Sequence, residues 1–484
     1  MEKNFNVWLI RPEKKIRTRT PIGDESSYNV CLAKNATEPF QVVFLAKESD
    51  QKGISIEVEN DHQDQFEVEV LREHYVSCEG MLWPDPVVPN EYDFDLKKGV
   101  NLTYLINVST KTETVAGNYT AKIIVRQNGE IFGEYPIYVT VWNFALDDTK
   151  YMETAFGTQI SRIKAHQKSD DYEALYKKYY DTLLDRYHIC AYDLPYDILD
   201  PRADAYMSDP RVKSFKIPYW GGETDKVVKY YEKLKTNPEW LKKAYFYVVD
   251  EPQVMADYDR IKDAYEKLQK VYPNAPMVSP FYMDPRDGNG VRAVELLQKY
   301  CSVWSPKISL FKDDWYTEFM RKRNEAGDRI WWYYCWEPPL PYANVFIDME
   351  CFYHRVLTWQ QYLHGINGML YWSTTYWEYG NPWEETSTVP YLSPYCFGDG
   401  SLFYPGDRIG IDGPVGSLRL EILRSAIEDY QMFQLAAEAF GREYVDEKIA
   451  SITPKVYIYD DVQWHMNIIR KEIGDKLSEY YSNK

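Results

Sequence analysis

Two periods of hydrophobic residues divide the chain. Up to about residue 147, apolar and polar positions alternate: Ile54, Ile56 and Val58 form one set, Phe66, Val68 and Val70 a second, Tyr119, Ala121, Ile123 and Val125 a third, and Tyr135, Ile137, Val139 and Val141 a fourth. A period of two marks strands with one buried face. Asn128-Gly129, between the third and fourth sets, is the dipeptide of a tight hairpin. With no helical stripe among these runs, residues 1–147 are expected to form an antiparallel β-sandwich.

Near "WNFALDDTKY" the period changes. Tyr172, Leu175, Tyr176, Tyr179, Leu183 and Leu184 share one helical face, and a short apolar run at Cys190 to Leu194 follows. The same alternation continues, with strand candidates near 153–158, 190–194, 214–219, 244–250, 275–281, 301–305, 329–336 and 368–373. Eight such runs separated by helical segments predict a (β/α)8 TIM-type barrel over residues 148–440, although two of the connections carry little helical signal. A long loop follows the last run, from Trp372 to Gly406, and then a helix from about Ser417 to Phe440. Residues 441–484 form a C-terminal helical extension. Its stripe of Val462, Met466, Ile469, Ile473, Leu477 and Tyr480 is expected to pack on the outside of the barrel.

Composition narrows the function classes. The 484 residues are 45% hydrophobic and 16% aromatic, which excludes a disordered chain. A net charge of −18 and the lack of a basic run argue against nucleic acid as a partner. The seven cysteines are scattered with no C-x-x-C spacing, so neither a disulfide frame nor a zinc site is expected. Seven histidines, with His62, His74 and His465 in polar contexts, make a histidine metal site improbable, and no cofactor is expected. The chain contains no G-x-S-x-G, H-E-x-x-H, Walker or G-x-G-x-x-G pattern. The glycine-rich "GIDGPVGS" reads as a turn before a helix. No stretch approaches 18 uncharged apolar residues, so no membrane segment is expected. The first residues lack the apolar core of a leader. The chain therefore reads as cytoplasmic from this start, or as secreted or periplasmic if a leader preceded it.

The candidate chemistry lies in "AYFYVVDEPQ", residues 244–253, where Asp250 and Glu251 end a run of apolar and aromatic residues. One reading makes Asp250 a helix N-cap, with Pro252 near the first helical position. The other follows from counting this run as the fourth barrel strand: its carboxyl end then lies on the face where barrel enzymes build their sites. Nine of the fifteen tryptophans fall between Trp304 and Trp383. Trp331 and Trp359 read as core, whereas Trp304, Trp336, Trp372 and Trp377 are better placed for a pocket, where flat rings stack on a sugar.

Several pieces resemble glycoside hydrolase family 123 and its barrel relatives: "LAKNATEPFQVVFLA", "VAGNYTAKIIV", "YVVDEP", "RIWWYYC", "NVFID", "GINGMLYWS" and the long "LFYPGDRIGIDGPVGSLRLEILRSAIEDYQ". The resemblance implies a β-N-acetylgalactosaminidase-like hydrolase acting on glycans with a terminal β-linked N-acetylhexosamine. In that family an adjacent Asp-Glu pair, matched here by Asp250 and Glu251, works with the substrate's own acetamido group as nucleophile. Chemistry favours adjacency for such a mechanism. An ordinary retaining pair must straddle the sugar about 5 to 5.5 Å apart, which neighbours on one strand seldom do. Two adjacent acids can instead serve one side, with Asp250 accepting the amide N–H and Glu251 protonating the leaving oxygen. Tyr334 is the candidate hydroxyl donor to the acetamido oxygen, with a plainer reading as a buried tyrosine. A rival scheme takes Glu251 as acid/base and Glu337, in "WYYCWEPP", as nucleophile, unless Glu337 is simply an exposed loop acid. A third reading is a non-catalytic glycan-binding barrel. The sugar's C4 configuration, the linkage, the aglycone and the oligomeric state are left open.

Overall fold

The computed structural model describes residues 4–89, 93–222, 224–377, 381–386, 396–460, 462 and 464–484. The N-terminal alternation folds as two five-stranded sheets over a shared apolar core. One sheet runs Phe5–Ile10, Thr37–Ala46, Asn101–Thr110, Phe66–Cys78, Met81–Pro89, all antiparallel. The other runs Tyr28–Lys34, Glu130–Ala145, Gly117–Gln127, Gln51–Glu59, Asp93–Leu96. Its first pair is parallel and the remaining pairs are antiparallel. The hairpin at Asn128-Gly129 forms as the dipeptide demands, with both residues at positive φ, 51° and 85°.

The second half is a parallel barrel of seven strands. They lie in the order Glu153–Phe156, Gly368–Tyr371, Arg329–Tyr333, Val303–Pro306, Met277–Phe281, Ala244–Tyr247 and Phe215–Lys216. The expected eighth strand at 190–194 does not form as such. The extended segment there spans the remaining gap instead. The Phe156 N–H donates to Cys190 O at 3.0 Å, the Tyr192 N–H to Phe156 O at 2.8 Å, and the Lys216 N–H to Tyr192 O at 2.7 Å. A single bridge, Phe156 to Ala191, forms on one side and a single hydrogen bond on the other, too little for a regular strand, so the barrel is nearly closed. Two of the connections hold short helices, Ala203–Ser208 and Ala293–Leu296. Part of the long loop after the last strand, residues 378–380 and 387–395, lies outside the described residues.

Barrel and sandwich are joined by the helix Leu418–Phe440, capped by the Ser417 hydroxyl and buried along most of its length. Arg419 near its start donates to both oxygens of Asp85 in the sandwich, at 2.8 and 2.7 Å, and to the carbonyls of Gly398 and Ser401. Further along, Asp429 receives Arg355 at 2.8 Å and Arg470 at 2.7 Å, and Arg355 also binds Glu13 and Glu38. Each buried charge here has a partner, as burial requires. The C-terminal helix His465–Ser482 does not lie on the barrel as expected. It packs on the sandwich and the Leu418–Phe440 helix: Gly474 fits under the Trp142 ring, Trp142 Nε1 donates to Asp475 at 2.9 Å, and Arg470 donates to Cys31 O. An apolar stripe specifies that a face is buried, not which neighbour buries it.

Candidate active site

The barrel interior is filled by one side of each strand. Tyr245, Val278, Val303, Trp331, Tyr333 and Leu370 form a cluster inside, whereas Phe246, Trp304, Trp332 and Tyr334 belong to the outer layer under the helices. This is the two-residue alternation of a strand, and it decides which side chains reach the carboxyl end of the barrel from within.

Strand pairing of Ala244–Tyr247 stops three residues before Asp250. Asp250 is not a helix cap: the next helix begins at Met255, and the N–H groups of Gln253 and Val254 are taken by Asp257. The acid pair is therefore carried on a short extended turn at the barrel mouth. Glu251 has φ of 40°, a conformation that ordinary residues avoid and that is found where surrounding structure fixes a functional group.

The neighbouring carboxylates take separate partners. Exposed Asp250 accepts the Tyr247 O–H at 2.7 Å. Half-buried Glu251 accepts the Tyr333 O–H at 2.6 Å. Burial raises the Glu251 pKa above the ordinary glutamate value, the Tyr333 hydrogen bond acts the other way, and the nearby Asp250 charge adds to the rise. Across the mouth, Lys307 is almost fully buried, with its ammonium 5.0 Å from the Tyr282 ring centroid and 5.5 Å from that of Trp336. It donates to Glu337 Oε2 at 2.7 Å.

A cleft of about 740 Å³ opens beside Asp250. Trp372 lines it, and its indole N–H donates to Asp399 Oδ2 at 3.0 Å. Asp399 also accepts the Tyr371 O–H at 3.0 Å, and burial pushes its pKa up to about 7. Gly157 faces Trp372 across the strand end, where a Cβ would overlap the Trp372 carbonyl, so the backbones close up there.

Of the residues singled out from the sequence, the mouth brings together Asp250, Glu251, Trp336 and Trp372, with Glu337 beside them. Three are placed elsewhere. The Tyr334 hydroxyl is buried and donates to Met369 Sδ at 3.0 Å, so it does not face the acid pair. Trp304 points into the helix layer, with Nε1 donating to Asp328 at 2.6 Å and its ring edge-on to Phe319. Trp377 is buried against Tyr179 and donates to Phe403 O. Trp331 and Trp359 are core, as expected. Sequence reasoning missed Tyr247, Tyr333, Lys307 and Asp399. For the first three a signal existed: counting alternate residues from inward Tyr245, Trp331 and Val303 reaches each of them.

Residues 204–436 match the family described as "Glycoside hydrolase 123, catalytic domain". Among solved structures, a family 123 glycoside hydrolase from Clostridium perfringens, described in a study of glycolipid glycan hydrolysis, is similar over 99% of both chains, with a TM-score of 0.77 at 15% identity. A family 39 glycoside hydrolase from the gut symbiont Bacteroides cellulosilyticus WH2 aligns over 82% of this chain and 81% of its own, at 10% identity and a TM-score of only 0.34. No curated protein matches by sequence. The full-length likeness to the first structure is one of fold, and the segment that matches the glycoside hydrolase 123 catalytic-domain family, residues 204–436, carries the acid pair and the barrel mouth.

Proposed function

We propose that the protein is a retaining exo-β-N-acetylgalactosaminidase-type enzyme that uses the substrate's 2-acetamido group as nucleophile. The observation that carries this reading is the division of labour within the pair: half-buried Glu251 accepts the Tyr333 hydroxyl and has its pKa raised by burial, the direction a general acid requires, while the adjacent Asp250 stays open to the cleft. In the first step the acetamido oxygen bonds to the anomeric carbon as the bond to the leaving oxygen breaks. Glu251 gives its proton to that oxygen, and Asp250 accepts the amide N–H and offsets the charge of the oxazolinium. In the second step water adds to the same carbon, loses a proton to Glu251 and reopens the ring, so the configuration is retained. Tyr333 takes the place proposed for Tyr334 in holding a hydroxyl at the pair, but it holds Glu251 rather than the acetamido oxygen.

One observation keeps the two-carboxylate scheme in play: Glu337 stands at the barrel mouth, 2.7 Å from the Lys307 ammonium. That contact occupies one oxygen of Glu337, which supports a role for it in the wall of the site. Hydrolysis of aryl β-GalNAc, β-GlcNAc and β-Gal separates the two. Under our reading the β-galactoside is inert, a thiazoline mimic of the intermediate inhibits, and Glu337→Gln keeps most activity on aryl β-GalNAc. A loss of roughly a thousandfold in that variant, together with a 2-fluoro sugar trapped on Glu337 of the wild type, would overturn it.

A further inference from the structure

The cleft continues past Asp250 to a tryptophan that nothing in the reaction above uses. Trp220 is 85% exposed, the most exposed large hydrophobic side chain among the described residues, yet it lines the same cleft as Asp250 and Trp372. A chain of contacts links it to the pair. Tyr247, which holds Asp250, meets the Tyr192 ring edge-on at 5.9 Å between centroids. The Lys216 ammonium lies 5.3 Å from the Tyr192 ring and 5.2 Å from the Trp220 ring. Lys216 is itself mostly buried and is paired with Asp193 at 3.2 Å. The floor between Asp250 and Trp220 is thus aromatic and charged by turns: flat faces for a ring, with ionic groups that hydrogen-bond hydroxyls. Trp220 follows Phe215–Lys216 by four residues and precedes Gly221, at φ of 84°, and Gly222. A Cβ on either glycine would meet no neighbour, so no other part of the chain covers this end of the cleft among the described residues.

We infer that Trp220 is the stacking platform of a second subsite, which takes the sugar ring adjoining the one bound at the Asp250–Glu251 pair, so that the substrate is an oligosaccharide and not a lone glycoside. This rests on the proposed function and deepens it. An isolated exposed tryptophan needs no explanation on a convex surface. On the wall of the cleft that Asp250 also lines, it presents the apolar face that a pyranose ring covers. The glycan's next residue occupies it, with Lys216 and Asp193 bonding to its hydroxyls.

The test compares Trp220→Ala and Trp220→Phe with the wild type on two substrates: an aryl β-GalNAc, which fills only the site at the pair, and a β-GalNAc-terminated trisaccharide. Expected are aryl kinetics within about twofold of the wild type, a fall of roughly 10- to 100-fold in trisaccharide kcat/KM carried mainly by KM, and substantial recovery with Phe. An equal fall on both substrates, or none on the trisaccharide, would overturn the inference. If the wild type cleaves neither substrate, the proposed function fails while the subsite is still read by calorimetry. Trisaccharide binding weakened tenfold by Trp220→Ala with free GalNAc unchanged would support it, and no measurable trisaccharide binding would refute it.

Discussion

Removing the hydroxyl of Tyr333 tests how Glu251 is set for its role. The Tyr333 O–H lies 2.6 Å from Glu251 Oε1, within the range of a hydrogen bond to a charged acceptor. Tyr333→Phe keeps the ring in its buried cluster with Trp331 and Tyr247, so packing is preserved and only the donor goes. A hydrogen bond to a charged group contributes about 1.5 to 3 kcal/mol, and a neutral carboxyl accepting the same bond about 1. The difference, about 0.5 to 2 kcal/mol, favours the ionised form, and at 1.36 kcal/mol per unit its middle corresponds to roughly one pH unit. The sign follows: the hydroxyl holds the Glu251 pKa down against burial, so its loss lets that pKa rise. A general acid works while protonated, so activity falls as pH passes above its pKa. The alkaline limb of kcat/KM, which reports the free enzyme's acid, should therefore move to higher pH by about one unit in Tyr333→Phe. The measurement is a full pH profile of kcat/KM for both proteins on a β-GalNAc glycoside with a poor leaving group, whose cleavage needs the acid. A limb that stays put, or moves to lower pH, would refute the assignment of Glu251 as the titrating acid held by Tyr333.

Two further outcomes are expected. Glu251→Gln should lower kcat/KM by on the order of 100- to 10,000-fold on glycosides with poor leaving groups and much less on activated aryl glycosides, because only the former need protonation; equal losses would mean that Glu251 is not the acid. Glu73, buried in the sandwich, finds no hydrogen-bond partner for either carboxylate oxygen among the described residues, and burial pushes its pKa up to about 8. It stays protonated in the folded protein up to about pH 8 but ionises near 4.3 in the unfolded chain, so it makes stability fall as pH rises between roughly 4.5 and 8. Glu73→Gln should narrow the difference in Tm between pH 5 and pH 8 by roughly 5 °C, read by thermal unfolding at the two pH values, and an unchanged difference would contradict a neutral Glu73.

Where sequence and structure part company, the reason is usually two-sided burial. In the sandwich the strands Gln51–Glu59, Phe66–Cys78, Gly117–Gln127 and Glu130–Ala145 border water on one face, so their alternation is visible in residue type and the sheets follow from it. In the barrel both faces are buried, and "RIWWYYC" is aromatic on either side. Residue type then carries no information about direction, and Tyr333 and Tyr334 are told apart only by register against the neighbouring strands. Trp304 fails as a pocket residue for the same reason, and Lys307 escaped notice because a buried lysine is recognisable only by the partner it meets. Partners distant in sequence, such as Lys307 with Glu337 or Trp372 with Asp399, follow from loop paths that no local pattern encodes.

What the chain determined by itself was therefore local: the two periods, the NG hairpin, the Ser417 cap, and two acids placed where an apolar run leaves the sheet. The tertiary structure alone decided that the segment at Cys190–Tyr192 bridges the barrel without forming a strand, that the last helix covers the sandwich, and that Asp250 and Glu251 turn toward different hydroxyls. Period and composition fix how much of a side chain is buried, but which neighbour buries it, and at what distance, depends on packing between segments hundreds of residues apart.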